Sequence, residues 1–134
     1  MLNRGVAILI ALVVPGVAAA HVVRHPSLPE TFWGTWAPAS AACDGAADAV
    51  TLAANAYTAG KTTCTIEAVS ETPSPKGSTY SARMQCQDQA KAKKAVASNL
   101  IIRADGAERV SMGPTFSRLR VFQRCPAGQK QAMQ

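Results

Sequence analysis

Two stretches of strict alternation set the frame of this chain. From Thr63 to Glu71 the even positions carry Cys64, Ile66, Ala68 and Ser70, and the odd ones Thr63, Thr65, Glu67, Val69 and Glu71. From Thr79 to Asp88 the even positions carry Tyr80, Ala82, Met84, Cys86 and Asp88, against Thr79, Ser81, Arg83, Gln85 and Gln87. A period of two, with a small or apolar face and a polar face, predicts half-buried β-strands. The segment 72–78 between them holds Pro73 and Pro75, which cannot donate to a sheet ladder, and Gly77, which suits a turn. Folded about Pro75, the strands set Cys64 opposite Cys86, Ile66 opposite Met84, Ala68 opposite Ala82 and Glu67 opposite Arg83. Sulfur, core and charge agree in that register, and a slip of one residue would lose all three.

Further short strands follow from runs bounded by turn residues. Thr31–Trp36 stops at Ala37-Pro38, Ala49–Ala53 follows a loop containing Gly45, and Asn99–Arg103 is joined through Asp105-Gly106 to Arg109–Met112. The last strand, Arg118 to Cys125, puts Arg118, Arg120, Phe122 and Arg124 on one face and Leu119, Val121, Gln123 and Cys125 on the other. Asp88 to Ser98 reads equally as a helical turn capped by Asp88 or as a solvated basic loop. The fold class expected is all-β: a small antiparallel meander or barrel, with that segment as the one place for a short helix.

The first twenty residues do not belong to this pattern. Arg4 precedes an apolar run from Val6 to Val14, and Val17-Ala18-Ala19-Ala20 supplies small residues at a cleavage site. That is the layout of a secretory signal peptide, and the run is shorter than the ~20 residues a spanning helix needs. Removing residues 1–20 of 134 leaves 114, and takes Arg4 with it, so the formal charge falls from +6 to +5. Residues 21–134 then form a single domain with an ordered core over about 28–126. The destination expected is the periplasm or the extracellular space of a bacterium.

All four cysteines lie in the mature part. An even count in a small exported domain reads as disulfides, and no pair has the C-x-x-C spacing of a zinc site. The hairpin register joins Cys64 to Cys86, which leaves Cys43 for Cys125. No cofactor is called for.

Catalytic groups are hard to assemble from these residues. The histidines, His21 and His25, both sit beside the new N-terminus, a mobile place for a general base. They offer a copper scheme, in which the amine and imidazole of His21 chelate the ion and His25 adds a third nitrogen. Glu67 and Glu71 share a strand face, but the outward one, where they read as solubilising charges. No phosphate-cradling glycine loop is present, so an enzyme is not the expectation. The basic residues suggest binding instead. Arg118, Arg120, Phe122 and Arg124 would present guanidinium groups and an aromatic on one strand, with Lys91, Lys93 and Lys94 as a second cluster. An exported domain seldom meets nucleic acid, so the partner expected is an exported protein, an envelope polyanion or a lipid headgroup. Plain protection of an outward or edge strand is the competing reading of the arginines.

Gly34-Thr35-Trp36, preceded by Leu28-Pro29-Glu30, resembles the G-x-W opening of lipocalin-like barrels. The resemblance implies a tryptophan at the barrel floor covered by an arginine of the last strand, here Arg118, Arg120 or Arg124. The length is closer to the small exported barrels with which bacteria inhibit metalloproteases, although two bridges are predicted here where one is usual there. Gly77-Ser78-Thr79-Tyr80 is loosely similar to a strand start of periplasmic lysozyme inhibitors. The leading expectation is a non-catalytic exported binding domain, with hydrolase inhibition as its sharper form. Its alternatives are an envelope accessory protein held to anionic surfaces and an N-terminal copper binder.

Overall fold

A computed structural model describes residues 10–13, 21–43, 47–89 and 94–126. The strands are β1 (Val23–His25), β2 (Gly34–Pro38), β3 (Val50–Leu52), β4 (Ala56–Ala59), β5 (Thr62–Thr72), β6 (Thr79–Asp88), β7 (Val96–Ala104), β8 (Arg109–Gly113) and β9 (Arg120–Arg124). From β2 onward each strand pairs antiparallel with the next, and β9 returns to pair with β2, Trp36 opposite Arg124. The result is a closed eight-stranded antiparallel barrel. Strand β1 lies outside the ring, against Val69–Glu71, on the stretch of β5 that β4 leaves unpaired.

Closure turns one face of every strand inward. Trp36, Leu52, Cys64, Ile102 and Val110 are almost wholly buried there, and among the described residues no polar or charged side chain is buried. Leu28 and Phe32 join this core from the segment before β2. That segment, read above as strand from Thr31, is a 3-10 helix over Glu30–Phe32. Pro29 opens it with φ −55°, and Gly34, at φ +126°, turns the chain into β2. The indoles fasten it, with Trp33 Nε1 donating to Leu28 O at 2.8 Å and Trp36 Nε1 to Phe32 O at 2.9 Å.

The β5–β6 hairpin keeps the predicted register as far as Cys64–Cys86 and Ile66–Met84. Beyond Ile66 a β-bulge inserts Glu67, so Ala68 pairs with Arg83 and Val69, not Ala68, pairs with Ala82. One extra residue reverses the inside–outside sense of all that follows. Val69 is therefore core at 2% exposure, and Glu71 parts company with Glu67. The Glu67–Arg83 ion pair survives on the outer face at 3.9 Å.

Both disulfides form as the spacing predicted, Cys64–Cys86 inside the wall and Cys43–Cys125 tying the loop after β2 to the end of β9. Sequence separations of 22 and 82 correspond to about 3 and about 4.5 kcal/mol of lost unfolded-state entropy. Two short strands, β1 and β4, carry too few alternating residues to be read in advance. Asp88 is the last residue of β6. Of the helical turn considered beyond it, residues 90–93 lie outside the described residues, and Lys94 and Ala95 are in no regular element.

Candidate ligand cup at the open end of the barrel

The strand directions give the barrel two ends of different construction. At one end Arg124 covers part of the floor. Its guanidinium lies 4.3 Å from the Trp36 ring centroid, a cation–π distance. Nη1 donates to Trp33 O at 2.9 Å and Nη2 to Thr31 O at 2.6 Å, which binds the 3-10 segment across the floor. Of the three arginines that the G-x-W resemblance allowed, Arg124 is the one over the tryptophan. A pocket of about 510 Å³ opens at this end too, lined by Phe32, Trp36, Tyr80, Glu108, Val110 and Arg124.

The same end holds the histidine–carboxylate cluster. His25 Nε2 lies 2.8 Å from Glu71 Oε1, and Ser78 Oγ donates to Glu71 Oε2. The Ser78 hydrogen bond, then that of His25, holds the Glu71 carboxyl below the usual carboxylate range. Burial, followed by the charge of Glu71, pushes the Tyr80 phenol up. Chemically the order matters: the carboxylate sits between hydroxyl and imidazole. A nucleophilic serine would need the imidazole at its own oxygen to receive the proton. The cluster is a clasp that pins β1 to the hairpin. The His25 Nε2 is directed at Glu71. Among the described residues no group of three His, Cys, Asp or Glu side chains is placed to hold an ion.

At the opposite end the barrel is open. A cavity of about 370 Å³ enters between the ends of β4, β7 and β9. Its wall is Val50, Met84, Leu100, Met112 and Phe122 with the Cys64–Cys86 bridge. Its rim carries Tyr57, Ser98, Arg118 and Arg120. Burial pushes the Tyr57 phenol up, so at neutral pH it is a neutral hydroxyl. Arg120 is braced between the Phe122 ring, 5.8 Å from its centroid, and Asp48, 3.7 Å away. Arg118 is exposed and makes no ion pair among the described residues.

The position of Arg118 depends on Gly113. A Cβ on Gly113 would stand 2.2 Å from Arg118 O, so the connection can fold back this tightly only over a glycine. The 3-10 helix Phe116–Arg118 completes the fold-back.

The arginine stripe expected on the last strand is thus divided. Arg120, Phe122 and Arg124 do share a face, but it is the inner one: Phe122 is core at 6% exposure. Four residues of strand span roughly 13 Å, which sends Arg120 to the mouth and Arg124 to the floor. Arg118 precedes β9 and reaches the mouth from its own 3-10 helix. The outward face that a protective charge stripe would occupy carries Val121 instead. Sequence reasoning missed Tyr57, because β4 is only four residues long, and Gly113, because nothing local marks a close approach.

Fold and floor together define the class: a closed antiparallel barrel of eight strands with a Trp–Arg floor and a pocket at each end. No family model matches the chain, and neither a curated protein nor a solved structure shows significant similarity to it.

Proposed function

We propose that this is an exported, non-catalytic binding barrel of lipocalin-like type. Its open cup takes a small amphipathic ligand with an acidic head. The observation that carries the reading is the apolar cavity of about 370 Å³ with Arg118 and Arg120 at its rim. Cavities of that size, mostly apolar with a few convergent polar groups, suit small molecules. Guanidinium groups with free donors favour carboxylate or phosphate heads. The methionines and Leu100 offer the tail an apolar lining with adaptable shape. Support for the lipocalin-like type comes from Gly34-x-Trp36 at the first barrel strand and from Arg124 over the indole. Support for export comes from the leader pattern of residues 1–20 and from two disulfides, which persist in oxidising compartments. Hydrolase inhibition rests on the resemblance alone.

Titration of the purified mature chain with dodecanoate, dodecyl phosphate and dodecyltrimethylammonium tests this. The two anions are expected to bind one per chain and the cation not to bind. Arg118→Ala with Arg120→Ala should weaken the anions by about tenfold or more, at roughly 1.4 kcal/mol per factor of ten. Ser98→Trp, at the half-buried rim, should block the mouth. Equal binding of all three amphiphiles, or undiminished binding to Ser98→Trp, would overturn the proposal.

A further inference from the structure

The open end is unusual in a second respect, independent of what fills the cup. The ends of β2, β4, β6 and β8 and the starts of β3, β5, β7 and β9 all lie there, because alternate connections of a meander share an end. Two large apolar side chains stand out from it: Phe116 is 67% exposed and Val96 is 65% exposed. The same end carries the cations Lys61, Lys94, Arg118 and Arg120, against the carboxylates Asp48 and Asp88. Asp48 is already directed at Arg120. The floor end carries Arg24, Lys76, Arg103, Arg109 and Arg124 against Glu30, Glu71, Asp105 and Glu108, a smaller excess of one.

We infer that the barrel docks mouth-down on an anionic lipid surface, with Phe116 and Val96 entering the headgroup layer and the cations of the same end meeting lipid phosphates. Charge complementarity selects the occupant. Each basic residue held near an anionic bilayer strengthens binding by about 1 kcal/mol, and isolated apolar side chains add to it by entering the interface. A protein partner fits less well, since lysine is depleted from protein interfaces and two separated apolar residues do not make a packed centre. A soluble polyanion would engage the cations but give Phe116 nothing to do. That difference makes the proposal testable.

The experiment is co-sedimentation of the full mature chain with phosphatidylcholine vesicles prepared with and without phosphatidylglycerol. Binding is expected to require phosphatidylglycerol and to fall as salt is raised. Arg118→Gln and Lys94→Gln should each reduce it about fivefold, the factor that ~1 kcal/mol represents. Phe116→Ala should reduce it by roughly tenfold through lost apolar burial. Lys76→Gln, in the turn at the floor end, should leave it unchanged. Phe116→Trp should shift its emission to the blue on phosphatidylglycerol vesicles and not on phosphatidylcholine alone. Equal binding to both vesicles would overturn the inference. So would loss in the arginine and lysine variants with none in Phe116→Ala, the result a soluble-polyanion site would give. A Phe116→Trp emission unmoved by bound vesicles would overturn it as well.

Discussion

Arg124 and Arg118 are both arginines of the last fifteen described residues, yet they answer to different physics. Arg124 is half-buried, stacked on Trp36, and donates to two carbonyls that would otherwise face an open floor. Its replacement by alanine is expected to cost about 2–3 kcal/mol in urea denaturation, the range for charge-assisted hydrogen bonds with a desolvated cation–π contact. Arg118→Ala touches no such contact and should stay within about 0.5 kcal/mol. Equal losses would contradict the division of the arginines between floor and mouth. Gly113 gives a third expectation at this scale. A methyl group there meets backbone, which cannot swing aside, so Gly113→Ala should cost about 1–3 kcal/mol and weaken cup ligands by displacing Arg118. Sequence inspection names the candidate arginines but not their positions along the barrel axis. Only the sheet, by fixing which end of β9 lies at the floor, supplies that coordinate.

The elements repeat the lesson through the β5–β6 hairpin. Alternation and the proline turn were enough to pair Cys64 with Cys86 and Ile66 with Met84, because sulfur, methionine and isoleucine all had to share the inner face. The bulge at Glu67 was not legible, since an extra residue in a strand leaves the local composition unchanged. Its consequence is functional: it turns Glu71 toward Ser78 and His25, where the clasp on β1 forms. The pH dependence follows from the depressed Glu71 carboxyl, held down chiefly by Ser78 and then by His25. A carboxyl lowered in the folded state stabilises it above the ordinary glutamate value of about 4.3. That contribution is lost as pH falls through the lowered folded value. Hydrogen exchange at Val23–His25 should therefore accelerate in acid, and Glu71→Gln should show at neutral pH the faster exchange that wild type reaches only in acid. An unchanged exchange profile in the variant would remove the clasp. The same strands anchor the disulfide expectations: Cys64→Ala with Cys86→Ala should cost about 3 kcal/mol, and opening Cys43–Cys125 about 4.5 kcal/mol.

At the scale of the whole molecule, closure of the sheet decides which residues line a cavity. Period-two patterns reveal which residues share a face, and the all-β class followed from them. They do not reveal which face is inside once three of its four residues are arginine and phenylalanine is the fourth. In an open sheet Arg118, Arg120, Phe122 and Arg124 would be an outward stripe. In a closed barrel Phe122 becomes wall, and the charges are driven to the two ends, where water can reach them. Floor and mouth thus arise from one strand. The two methionines of the wall, Met84 and Met112, provide a direct reporter, since the remaining methionines, Met1 and Met133, lie near the ends of the chain. The decisive measurement is methyl NMR of methionine-labelled residues 21–134 titrated with dodecanoate. Saturable shifts of the Met84 and Met112 methyls, with the Trp36 indole resonance unmoved, are the result expected for a ligand in the cup. Shifts confined to Trp36 and its floor, or none at saturating ligand, would contradict the account.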